Sequence, residues 1–125
     1  MSLYKLSSQF LAVMNNDSSV DYANLFKFKE NMLKIDKMVL TGSPKDEVII
    51  PYQSAHFDYY LMNPTTQKLE ILPMIEQSVY VKDVFGLKTL DNEKRLLRLT
   101  APDATHLDWI FRRNLVEQYV IPYLY

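Results

Sequence analysis

The chain has no cysteine, and its 125 residues include only two glycines, Gly42 and Gly86. Without a thiol there is no disulfide, no thiolate metal site and no cysteine nucleophile, and cysteine usage leaves the redox compartment open. Two glycines so far apart cannot build a glycine-rich phosphate loop, and neither an HExxH nor an EF-hand pattern occurs, so no nucleotide or metal cofactor is expected. Excess charge of either sign is also lacking: 14 Lys and Arg face 15 Asp and Glu, for a formal charge of -1 and a pI near 6.1. Such a balance offers no field that would gather nucleic acid or anionic lipid. No apolar run approaches the ~20 residues needed to span a bilayer. The opening stretch "MSLYKLSSQFLAVM" breaks its apolar positions with Lys5, Ser7, Ser8 and Gln9, so no signal peptide is expected there.

What is present describes one ordinary globular unit, with 48% apolar and 23% charged residues and no internal boundary or repeat. "DYANLFKFKENMLKI" predicts an amphipathic helix: Asp21 is placed to cap it, and Leu25, Phe28, Met32 and Leu33 share a face. Lys27, Glu30 and Lys34 fall on its solvated side. "KMVLT" is a short continuous apolar run that ends at Gly42, Ser43 and Pro44, the pattern of a buried strand entering a turn. From Tyr52 to Lys82, broken by Pro64 and Pro73, an irregular excursion is expected, with "LEIL" and "SVYVKD" as short strand or turn candidates. "LLRLT" is a second β-prone run, closed by the loop formers Ala101, Pro102 and Asp103. The final stretch predicts one helix: Leu107, Ile110, Phe111, Leu115, Tyr119 and Val120 keep helical spacing, and Thr105 with Asp108 resembles a capping box. Arg113 and Glu117 form a supportive i,i+4 pair, and Pro122 marks the end. "NDS" at Asn16 to Ser18 fits a glycosylation acceptor, which matters only for a chain that meets the secretory pathway.

Two residues stand where chemistry can arise. Asp46 follows the first strand and His106 the second, and loops that follow parallel strands open at one edge of a sheet. A carboxylate that accepts from a histidine Nδ1–H fixes the tautomer that leaves Nε2 free to take a proton. On spacing alone the ordinary readings stay open: an Asp after Pro-Lys is a turn former, and a His before a helix is a polar loop residue. His56 fits no comparable pattern. Asp36, Asp103 and Asp108 read as loop, turn and cap residues.

The order of "LTGSPKDEVIIPYQSAHFDYY", "VYVKDVFGLKTLDN", "THLDW" and "YVIPYLY" resembles the C-terminal half of the palmitoyl-protein thioesterases, lysosomal α/β-hydrolases that cleave fatty acyl thioesters. The resemblance takes in "SQFLAVMNND" and "NLFKFKENMLKI" as well, so it covers nearly the whole chain, and it is nearest the branch that prefers acyl-CoA to acylated proteins. It implies a single partial domain over residues 1–125: the C-terminal portion of an α/β-hydrolase fold, with parallel strands, flanking helices and an incomplete sheet. The family's Asp-x-Val-Ile-x-Pro falls on Asp46, Val48, Ile49 and Pro51, which implies Asp46 as triad acid, and His106 matches the family histidine as general base. Glu47 stands where the family has Gly, and Phe85 to Leu90 matches a structural segment.

The same resemblance implies a serine in a G-x-S-x-G elbow, and no such elbow occurs in these residues. Ser43, beside Gly42, lies in the acid's own turn. The expectation is therefore the acid and base half of a thioester hydrolase, inactive by itself, with a lysosomal location and a fatty acyl thioester substrate by resemblance. An inactive paralogue that binds acyl chains or a partner is the alternative. Half of a covered sheet also leaves an open strand edge and apolar helix faces, which favours association.

Overall fold

The computed structural model describes residues 22–124. Asp21, expected as a helix cap, and the Asn16–Ser18 tripeptide lie outside them. The first described element is the amphipathic helix α1, Tyr22–Met32. Lys27, Glu30 and Lys34 point to solvent, whereas Met32 and Leu33 pack onto the core. The carbonyls beyond its last turn are collected by one side chain: the Arg95 guanidinium donates to Leu33 O (2.6 Å), Asp36 O (3.1 Å) and Ile35 O. Helix ends leave such acceptors orphaned, so this arginine does across the fold what a local cap would do.

Strands β1, Met38–Gly42, and β4, Leu96–Thr100, are the two apolar runs expected from the sequence, and they pair in parallel. Their register, Met38 with Leu96 through Gly42 with Thr100, brings both strands to an end at the same level. Ala101 N–H then donates to Gly42 O at 2.9 Å and carries the pairing one step further. Side chains alternate across a strand. Met38 and Leu40 accordingly face the core, while Val39 and Thr41 face a cleft on the other side.

The core is a cluster of Met74, Tyr80, Leu87, Leu90 and Leu96. Leu87 and Leu90 come from α3, Leu87–Asn92, so the "FGLKTL" segment supplies packing. Gly86 opens this helix at φ 99°, and a Cβ there would lie 2.9 Å from Leu33 Cδ2, so both the backbone and the space demand glycine. Asp83 closes the same entrance: its carboxylate accepts from Thr89 N–H (3.1 Å) and Thr89 Oγ1–H (2.5 Å), and it pairs with Lys29 at 2.7 Å.

The structure corrects the sequence reading in three places. The stretch expected to be irregular holds an antiparallel hairpin, in which the strand candidate "LEIL" is β3 (Leu69–Leu72) and the unforeseen β2 (Tyr59–Met62) pairs with it, so the strands are not all parallel. Its turn is local chemistry: Asn63 Oδ1 accepts from Thr65 and Thr66 N–H at 2.9 and 3.1 Å, an Asx turn ahead of which "YYLM" gave no alternating signal. "SVYVKD" is no strand. Residues Ser78–Val81 form the helical turn α2, which buries Tyr80 and bonds its hydroxyl to Asp91 Oδ2 at 2.7 Å.

The single terminal helix is divided into α4 (Asp108–Phe111) and α5 (Arg113–Tyr119). Arg112 is extended at the junction, φ -101° and ψ 93°, with its guanidinium turned back to Asp103 O at 3.0 Å and Asp108 at 3.1 Å. The capping residue acts as expected, since Asp108 Oδ2 accepts from Thr105 N–H at 2.8 Å, and Arg113 pairs with Glu117 at 2.7 Å. The expected apolar face of that helix is split. Leu115 is buried with Ala101 and Ala104 against Trp109 and Tyr119, but Ile110 and Phe111 are 73% and 77% exposed. The break rotates them away from the seam that an unbroken helix would have kept.

Candidate active site

The common end of β1 and β4 decides what meets what. Gly42 leads into the turn Ser43–Asp46, closed by Asp46 N–H donating to Ser43 O at 3.1 Å, and Ser43 Oγ accepts from Lys45 N–H at 3.2 Å. The Asp46 carboxylate next folds over its own chain: Oδ1 accepts from Val48 N–H at 2.9 Å and Ile49 N–H at 2.8 Å. Its two oxygens also lie 3.1 and 3.0 Å from His106 Nδ1. Asp46 is therefore a turn former and a histidine partner through the same carboxylate.

With a carboxylate at Nδ1, the proton belongs on that nitrogen and Nε2 carries the lone pair. Among the described residues nothing hydrogen-bonds to Nε2. The Asp46 side chain is only 8% exposed, whereas that of His106 is 38% exposed, so the acid lies beneath and the base opens outward. Burial pushes the Asp46 carboxyl up, but the Ile49 N–H, the His106 ring and the Val48 N–H together outweigh it and hold the carboxyl below its ordinary value. Asp46 thus stays charged against the ring.

The pair opens onto a cleft of about 380 Å³ with apolar walls from Val39, Ile49, Trp109 and Val120 and with Ser43 among its polar lining. That volume and lining match the lower range of small-molecule sites. The acid's exit is apolar too, since Val48 and Ile50 are 61% and 69% exposed. Among the described residues no group of three His, Cys, Asp or Glu side chains could hold a metal ion, and no helix is long and apolar enough to cross a membrane.

Two contacts were not foreseen from the sequence. The His106 backbone N–H donates to Glu47 Oε2 at 3.3 Å, a second contact between the two loops at the same histidine. His56, which fitted no pattern, is buried and donates Nε2–H to Leu99 O at 2.8 Å, tying the 3-10 helix Tyr52–His56 to β4 just ahead of the base loop. Neither contact has a signal within its own stretch of chain, because each partner is far away in sequence. Lys45 and Asp103 also join the two loops at 3.1 Å, both of them well exposed.

These carboxylates give a sign to the pH dependence of folding. Asp46, Asp83 and Asp108 are all held below the ordinary value of 3.8, so the folded state binds protons less readily than the unfolded one. Their stabilisation is present above pH 3.8 and is lost as pH falls from there through the folded values. Tyr80 is the opposite case: its hydrogen bond to Asp91 raises it above 10.0, so its contribution is complete below pH 10.0 and is lost as pH rises through the folded value. Urea unfolding midpoints are expected to fall at both ends, and Asp46→Asn is expected to flatten the acid limb. An unchanged acid limb in that variant would show that the Asp46 charge contributes nothing to stability.

A family model described as palmitoyl protein thioesterase matches residues 1–106. The chain is 33% identical over 122 residues to the lysosomal thioesterase PPT2 homolog of Drosophila melanogaster, covering 98% of this chain and 40% of the relative. It is 38% identical over 122 residues to human lysosomal thioesterase PPT2, covering 98% and 38%, respectively. Against palmitoyl-protein thioesterase 3 of Dictyostelium discoideum it is 38% identical over 120 residues, covering 96% and 37%. The chain therefore spans about two-fifths of the length of these curated relatives.

Proposed function

Because this chain belongs to the palmitoyl protein thioesterase family, we propose that it carries the acid and base of a fatty acyl thioester hydrolase, Asp46 and His106. The observation that carries this reading is the 3.0 Å approach of His106 Nδ1 to the Asp46 carboxylate, with no hydrogen-bond partner for Nε2 among the described residues. On this reading residues 1–125 are the C-terminal portion of an α/β-hydrolase fold acting in the lysosome, as the names of the relatives have it.

The chemistry follows from the tautomer. Nε2 takes the proton of an attacking serine hydroxyl while its oxygen bonds to the thioester carbonyl carbon, and Asp46 stabilises the imidazolium so formed. As the C–S bond breaks, the same proton passes to the departing thiolate. Water then repeats the sequence on the acyl-enzyme and releases the fatty acid. No G-x-S-x-G occurs among the 125 residues, so the reading takes the alcohol and the oxyanion donors from outside them. An acid–base pair without them has no covalent route and nothing to hold the developing oxyanion.

The test uses a chimaera in which the matched 122 residues of human lysosomal thioesterase PPT2 are replaced by those of this chain. The chimaera is expected to hydrolyse palmitoyl-CoA, and the 125-residue chain alone is expected to show no turnover above buffer. Turnover by the isolated chain that disappears in His106→Ala would overturn the reading. So would a folded but inert chimaera, and if its cleft still took up palmitate, the residues would be an acyl-binding module instead.

A further inference from the structure

Three consecutive side chains of the acid loop cross to the loop that follows β4. Lys45 pairs with Asp103, Asp46 holds the His106 ring, and Glu47 Oε2 accepts from the His106 backbone N–H at 3.3 Å. The first of these joins two exposed groups and contributes little. The third is exposed as well, but it bears on the same residue as the Asp46 contact. Resting on the acid–base reading above, we propose that Glu47 is a positioning residue for His106, fixing the backbone of the base while Asp46 fixes its ring.

The reason lies in how few points hold the base. A ring tethered at Nδ1 alone can still pivot about that bond, and the pivot carries Nε2 through an arc. A second tether on the backbone of the same residue restricts the base of that pivot. Both tethers come from one rigid turn: Asp46 Oδ1 binds the N–H groups of Val48 and Ile49, and Glu47 lies between Asp46 and Val48, inside the loop so closed. The two carboxylates are thereby presented to His106 from adjacent positions of one turn. Positioning of this kind acts on the chemical step, where small displacements of a proton acceptor are costly.

Glu47→Ala and Glu47→Gln test this in the chimaera and in the 125-residue chain. In the chimaera, Glu47→Ala is expected to lower kcat about fivefold to tenfold at unchanged KM, the effect of losing one modest charge-assisted bond. Glu47→Gln is expected to return to within about twofold of the parent, because its amide oxygen still accepts. In the isotope-labelled chain, Glu47→Ala is expected to shift the His106 amide signal and speed its hydrogen exchange. The Val48 and Ile49 amides, which bond to Asp46, should stay in place. An active chimaera indifferent to Glu47→Ala sinks this proposal alone, whereas an inert parent chimaera sinks the acid–base reading and takes the proposal with it. Displacement of the Val48 and Ile49 amides as well would mean that Glu47 supports the turn and not the base, which also overturns it.

Discussion

Asp46→Asn in the chimaera is expected to lower kcat on palmitoyl-CoA by about 10⁴-fold while KM changes little. An amide can accept from Nδ1–H through its oxygen, but it can equally donate its NH₂ to an unprotonated Nδ1. In this site Oδ1 is already engaged by Val48 and Ile49 N–H at 2.9 and 2.8 Å, which holds the amide oxygen there and turns the NH₂ toward the ring. The ring is then driven into the tautomer with its proton on Nε2, where it cannot serve as a base. The imidazolium also loses its counter-charge. If the proposed pair is the catalytic unit, His106→Ala should cost at least as much, and the double variant little more than His106→Ala alone. Steady-state kinetics of the three variants decide it. An Asp46→Asn enzyme within tenfold of its parent would mean that the carboxylate serves only its turn.

The second large effect concerns stability. Leu90→Ala is expected to destabilise the fold by about 2–5 kcal/mol. Leu90 is 0% exposed and sits among Met74, Tyr80, Leu87 and Leu96, the point where α2, α3 and the sheet converge. Against the total stability of about 5–15 kcal/mol usual for a domain, such a loss takes a large share. Leu61→Ala is the matched control: that leucine is 48% exposed in the hairpin, and its loss should fall within about 0.5 kcal/mol. Urea midpoints measured side by side would expose an error in the core assignment if the two variants proved equal.

How far these elements can be read from the residues follows from the range of the forces that make them. The strands at Met38–Gly42 and Leu96–Thr100, the amphipathic α1, the Asp108 cap and the Arg113–Glu117 pair all rest on neighbours within a turn or two, and each was foreseen. The hairpin was missed because its signal is one Asx turn between strands that present exposed apolar side chains on every position of β2. The break at Arg112 was missed because it answers to Asp103, in a loop outside the helix. Pairing Asp46 with His106 was one open reading of their loops after parallel strands, strengthened by resemblance, whereas Glu47 could not be connected to His106 at all.

By itself, then, the amino-acid order determined that two short apolar runs would be strands, that an amphipathic helix would precede the first, and that an acid would sit in a tight turn behind that strand. These are matters of composition and of contacts between near neighbours. The tertiary structure alone decided that β1 and β4 stop level with one another, so that a carboxylate and an imidazole from distant loops meet at 3.0 Å above an apolar cleft. Parallel strands exchange backbone hydrogen bonds along their shared edge, and the register they adopt is set by the core that both must cover.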